Sequence, residues 1–199
     1  MKFYKFISII FHPIVVPTIS VMLYFLVIPN NFDKDQKLVF LSFVFLVTYL
    51  VPLLILIVFK KFNLIKSYQT ESAKERKLPI AVMIVLFYLI GNYLNKIYLF
   101  NDLGILFYAA SLGLVIVYIF LFFKIKLSVH LLCTGLFIGF YMSLSHIYSQ
   151  PFLLILIIGI LISGLVASSR LHLKKHTHPE IYSGFFIGMF CPFMVYFLL

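Results

Sequence analysis

Between Leu127 and Ser169 the chain runs for 43 residues without one Asp, Glu, Lys or Arg. Soluble domains carry about 25% charged residues and cannot spare such a stretch; this chain carries 11% over 199 residues. Residues 38–59, 103–123 and 181–199 are charge-free as well. A membrane-crossing helix needs about 20 apolar residues. In lipid every backbone N–H and C=O must pair internally, which leaves helices or a closed barrel. The runs show no period-two alternation, so a barrel is excluded. The expected fold is an all-α integral membrane bundle of about six to seven transmembrane helices, forming one domain over residues 1–199. The long run is too long for one crossing, and Tyr148-Ser149-Gln150-Pro151 supplies its turn. Seven spans result: 7–29, 38–59, 79–99, 103–123, 127–147, 152–168 and 180–199. The first is expected to be continuous and bent at Pro13 and Pro17. It is too long, and lacks the small-residue cleavage site, for a signal peptide.

The formal net charge of +10 invites a nucleic-acid reading. In a membrane chain, basic loops facing anionic headgroups account for it, so no nucleic-acid partner is expected. The amino terminus and the loops after spans 2, 4 and 6 hold 13 of the 16 basic residues. The positive-inside rule places that face in the cytoplasm. Cys133 and Cys191 lie in apolar runs and read as small buried hydrophobes. Small residues four apart (Gly135 and Gly139, Gly159 and Ser163, Gly184 and Gly188) allow helices to approach closely.

Polar chemistry gathers in three places: KERKLP at 74–79, KLSVH at 126–130 and SSRLHLKKHTHPE at 168–180. Two crossings separate each from the next, so all three reach the same membrane face. The chain has 14 lysines but only two arginines, Arg76 and Arg170, one in the first cluster and one in the third. Lysine suffices for headgroup contact. Arginine presents a planar fork that holds an oxyanion through two hydrogen bonds. Two arginines on one face point to a phosphate.

Ser169-Arg170, five residues, His176, three residues and Glu180 resemble the third signature of the type 2 phosphatidic acid phosphatase superfamily, with Glu180 in place of its Asp. Leu127-Ser128-Val129-His130 is similar to part of the second signature. In the first, Arg76 is present, Pro79 follows three residues later, and Gln69 stands where the family has lysine. The resemblance covers about residues 66–190 and implies a six-helix lipid-phosphatase-like core. It implies a hydrolase acting on a lipid phosphate or pyrophosphate within the bilayer, with no metal and no cofactor. His176 would be the nucleophile that forms a phosphohistidine, and Glu180 would hold its other ring nitrogen. His130 would protonate the leaving alkoxide. Arg76, Arg170, Ser128 and Ser169 would bind phosphate, and Lys74, Lys77 or Lys66 would cover for the missing lysine. Thr177 or His178 can cap a helix begun by Pro179, whose first turn favours the charge of Glu180.

Two rivals belong to other classes. One is a catalytically inactive phosphatase-like protein or transporter that binds an anionic lipid headgroup. The other is a membrane metalloenzyme, since His172, His176 and Glu180 fall at i, i+4 and i+8 and would share a face of one continuous helix. Pro179 argues against that helix. His172 and His178 read as loop residues, His146 as an interhelical contact near the opposite face, and His12 as a residue at the basic face beside the bent first span.

Overall fold

In the computed structural model, residues 2–29, 32–65, 67 and 72–199 are described. Among them there are helices and connecting turns but no strand. The helices are α1 (Lys2–Ile10), α2 (Val16–Val27), α3 (Lys34–Phe45), α4 (Val51–Lys61), α5 (Ala73–Asn95), α6 (Asn101–Phe122), α7 (Val129–Tyr148), α8 (Leu153–His172) and α9 (His178–Leu198). Six helical stretches are long and apolar enough to cross a membrane: Lys34–Lys61, Lys74–Asn95, Tyr98–Phe122, Val129–Tyr148, Leu153–His172 and His178–Leu198. The protein is a multi-pass membrane protein built as a helical bundle.

The first expected span is corrected. It is two helices, not one bent one. Proline lacks an N–H and breaks the ladder of i to i−4 bonds. With Pro13 and Pro17 four residues apart, residues 11–15 leave the helix and turn instead, and the Val15 N–H donates to the His12 carbonyl at 2.9 Å. Helix α1 buries Ile7 and Ser8 and exposes Phe3, Phe6 and Ile9. A short basic helix with such an apolar face suits the membrane interface. Helix α2 has only 12 residues, about 18 Å at 1.5 Å per residue, against a hydrocarbon core of about 30 Å.

A second proline break lies in the next span. Pro52 has no N–H to offer the Thr48 carbonyl, and the chain takes a π turn over Leu46–Leu50 just before it. The Val51 N–H there bonds to the Leu46 carbonyl. The Thr48 side chain is buried, and its hydroxyl lies 3.2 Å from that of Thr18 on α2.

The core of the bundle is α5 to α9. Its tightest seam joins α7 to α9. A Cβ on Gly135 or Gly139 would run into the backbone carbonyls of Phe185 and Met189, and one on Gly188 into the Leu132 carbonyl. Only glycine permits backbones that close. At the top of the seam a Cβ on Gly184 would lie 2.8 Å from the Ser128 carbonyl oxygen. The same approach brings the chain before α7 against the start of α9, where the Ser128 N–H donates to the Glu180 carbonyl at 3.1 Å. At the opposite end, Asp102 at the start of α6 accepts hydrogen bonds from the hydroxyls of Tyr24 and Tyr148. His146 packs its ring on Tyr196 of α9, the interhelical contact expected of it.

Candidate active site

Helix α8 ends on a Schellman motif. The Lys174 N–H bonds to the Leu171 carbonyl at 2.9 Å and the Lys175 N–H to the Arg170 carbonyl at 3.2 Å. Lys174 takes the left-handed position with φ 52°, where glycine is the usual residue. The chain then turns so that Thr177 caps α9, with Pro179 in the first turn and Glu180 closing a capping box. Glu180 Oε2 accepts the Thr177 N–H at 2.9 Å. Its Oε1 accepts the Lys126 N–H at 3.2 Å. One carboxylate thus ties the start of α9 to the chain entering α7.

His176 is held between them. Its side chain is 2% exposed. Nδ1 lies 2.9 Å from the Lys126 carbonyl oxygen and 3.4 Å from Glu180 Oε2. A carbonyl oxygen only accepts, so Nδ1 carries the proton and Nε2 carries the lone pair. Glu180 does stand beside this nitrogen, as expected, and the Lys126 backbone carbonyl is a second and nearer acceptor. Burial is the largest influence on the ring, followed by the positive charges of Arg170 and Arg76. Together they outweigh Glu180 and the carbonyl and lower the pKa of His176 below the ordinary 6.5. The ring is neutral at neutral pH, with an unprotonated Nε2.

Arg76, His130, Arg170 and His176 line one cavity of about 850 Å³. The three sequence clusters, one from each of three loops, do meet. Arg170 donates from Nη1 to Ser8 Oγ at 2.9 Å, while its Nε is buried with no hydrogen-bond partner. His130 Nε2 lies 3.3 Å from the Ser8 carbonyl oxygen and 3.5 Å from Ser8 Oγ. The His12 ring stands edge-on to His130 at 5.4 Å. Its Nδ1 accepts the Ile14 N–H at 3.4 Å, so its proton sits on Nε2.

Not every expected residue joins the site. Ser128 is fully buried with its Oγ unpartnered, and it does not line the cavity. Ser169 donates its hydroxyl to the Tyr4 carbonyl and secures α1 instead. Lys77 lays its ammonium over the Phe122 ring of α6, 3.8 Å from the centroid. Lys74 is exposed and lines nothing. Lys66 and Gln69 lie outside the described residues. The cavity mouth takes its added cations from Lys5, Lys126, Lys174 and Lys175.

No family model matches this chain, and neither characterised proteins nor solved structures offer a match. Its chemistry has to be read from its own geometry. The metalloenzyme rival loses its premise there, because α8 ends at His172 and α9 begins at His178. His172 stacks on Tyr4, with ring centroids 4.2 Å apart, and His178 stacks on Tyr182. Among the described residues no three His, Cys, Asp or Glu side chains are placed to hold a metal ion.

Sequence reasoning missed Ser8 and the Lys126 carbonyl. One serine in a short amphipathic helix carries no spacing signal. A backbone carbonyl carries none at all.

Proposed function

We propose that the protein hydrolyses a lipid phosphate by way of a phosphohistidine on His176. The observation that carries this reading is the fixed tautomer: Nδ1–H donates to the Lys126 carbonyl, which leaves the Nε2 lone pair beside two arginines in one cavity. In the first step Nε2 forms a bond to phosphorus as the bond from phosphorus to the lipid oxygen breaks. A protonated His130 gives its proton to that oxygen and releases a lipid alcohol. The incoming phosphate brings the negative charge that lets His130 hold the proton beside Arg170. In the second step water attacks phosphorus, His130 takes its proton back, and the P–N bond breaks to release phosphate. Arg76 and Arg170 balance the charge on the equatorial oxygens throughout. Glu180 steadies the imidazolium that forms between the steps.

The resemblance of residues 169–180 to the third phosphatase signature supports the same reading. The lysine-rich loops support a site on the cytoplasmic side. A cysteine at position 175 would then react with a membrane-impermeant maleimide only in inverted vesicles.

One observation favours a second reading. His130 Nε2 is occupied by Ser8 in this structure, as suits a protein that binds an anionic headgroup without cleaving it. Phosphate release from a panel of lipid phosphates, comparing wild type with His176→Ala, separates the two. The phosphatase reading expects release by wild type, a trapped phosphoryl group on His176, and a loss of about 10³-fold or more in the variant. Equal turnover in the variant ends the assignment of the nucleophile. Headgroup binding without release from any lipid favours the second reading.

A further inference from the structure

The phosphate mouth is only one end of its cavity. The same space continues inward past Ser20 and Thr48 to an apolar floor that includes Phe87 and Phe107, whose rings lie 6.0 Å apart. Phe87 is eleven residues along α5 from Arg76, a depth of about 16 Å. One leaflet of the hydrocarbon core is about 15 Å thick. A space of this kind could be a loose seam between helices, but its walls argue otherwise. Pro13, Pro17, Pro52 and Pro79 all line it, half of the eight prolines in the chain. They fall in three different stretches: the turn into α2, the π turn into α4, and the first turns of α5. Each lacks the backbone N–H that would pair with the carbonyl four residues earlier, so the ladder of helical bonds is weakest along this wall. Cavity volume is also at the upper end of the range of ligand pockets, about 300–1,000 Å³.

We infer that this slot holds one hydrocarbon chain of the phosphate-bearing amphiphile, inside the bundle, with its end at Phe87 and Phe107. The choice of occupant follows from charge and continuity. Arg76, Arg170, Lys126 and Lys175 surround the mouth, so the occupant carries an anionic head. The walls below them are mostly apolar, and the hydroxyls of Ser20 and Thr48 are engaged with the Val16 carbonyl and the Thr18 hydroxyl, so its body is hydrocarbon. The depth matches a chain of one leaflet's length and stops there, so a much longer chain has to leave the slot sideways. Ala110 on α6 lines the slot and is 6% exposed; a larger side chain there would fill it. The inference rests on reading the mouth as the phosphate site.

The test is photolabelling of full-length His176→Ala protein in nanodiscs, using dodecyl phosphonate with a diazirine on its terminal carbon. Labelled residues are mapped by tandem mass spectrometry. The expected result is labelling of Phe87, Phe107 or Met83, competed by unlabelled dodecyl phosphonate but not by dodecanol. Ala110→Phe should lose that labelling and keep labelling by a probe whose diazirine sits next to the phosphonate. Labelling confined to lipid-facing residues of the same helix, such as Val85 and Leu89, would overturn the inference, as would equal competition by dodecanol. The measurement does not use turnover. If wild type releases no phosphate while the probe still labels the floor, the phosphatase reading fails and the slot stands. Release of phosphate without labelling of the floor gives the reverse.

Discussion

The two ends of the bundle treat their buried polar groups in opposite ways. At the end carrying Asp102, the carboxylate takes both tyrosine hydroxyls, and the polar groups close on one another. At the basic end, Arg170 Nε and Ser128 Oγ are buried with no partner. Buried polar groups in folded proteins are nearly always hydrogen-bonded, and each exception asks for a reason. Among the described residues, the far end leaves no buried side-chain polar atom unpaired. The basic end retains unmet groups, and one of them, Nε of the cavity-lining Arg170, is a donor that an incoming phosphate would satisfy.

Substitutions at each end should separate these roles. Arg170→Lys keeps the charge but loses the fork, and phosphate release should fall about 10²–10³-fold, the loss typical of one preorganised donor. Its thermal unfolding in detergent should stay within a few degrees of wild type, and a large fall would make Arg170 a structural residue. Gly188→Ala probes the seam that links the ends. Its Cβ would strike the Leu132 carbonyl, and backbone cannot yield as a side chain can. The expected cost is about 3 kcal/mol in unfolding by denaturant, with activity falling alongside because Lys126 and His176 lose register. Asp102→Ala takes the shared acceptor away from two tyrosine hydroxyls and should cost about 2 kcal/mol, while kcat of the folded fraction is unchanged. A matching fall in kcat would contradict the division between the ends.

The pH response should distinguish them too. His176 has its folded-state pKa below 6.5. Above 6.5 both folded and unfolded forms are neutral, and the group contributes nothing to the slope. As pH falls below 6.5 the unfolded chain takes the proton first, so stability declines until the pH passes below the folded value. The acid limb of phosphate release should lie below 6.5 for the same reason. Arg76→Gln removes one of the depressing charges and should move that limb upward, and an unmoved limb would separate Arg76 from His176. The smallest effect is expected at Lys174. Lys174→Gly relieves a left-handed backbone and should add about 1 kcal/mol of stability, yet weaken binding of the anionic head. If it weakens nothing, Lys174 has no part in the mouth.

Much of this contrast is legible in the sequence. Charge-free runs located the membrane helices, since nothing else can bury 43 uncharged residues in so short a chain. Counting crossings put Arg76, His130, Arg170 and His176 on one face, and they do share one cavity. The interval from Ser169 to Glu180 carried the turn between α8 and α9, and of the two caps it offered, Thr177 and His178, the structure uses Thr177. Finer placement was less accessible. Ser128 and Ser169 sit beside the right residues in sequence, but helix rotation sends one into the core and the other to the Tyr4 carbonyl. Lys77 points to Phe122 because an aromatic face attracts a cation as well as a phosphate does. The break after α1 was hidden by composition, because residues 7–28 are apolar whether or not the helix continues.

That break also bears on solvent. Irregular backbone at membrane depth persists only where it lies within protein or lines a wet space. Residues 12–14 line the cavity, and the helix that follows is too short to carry a full thickness of hydrocarbon by itself. A leaflet that thinned beside α1, as bilayers do around short hydrophobic segments, would lower the water boundary toward His176. A lipid headgroup and a water molecule can then reach the same depth from the same side, without any helix having to move apart.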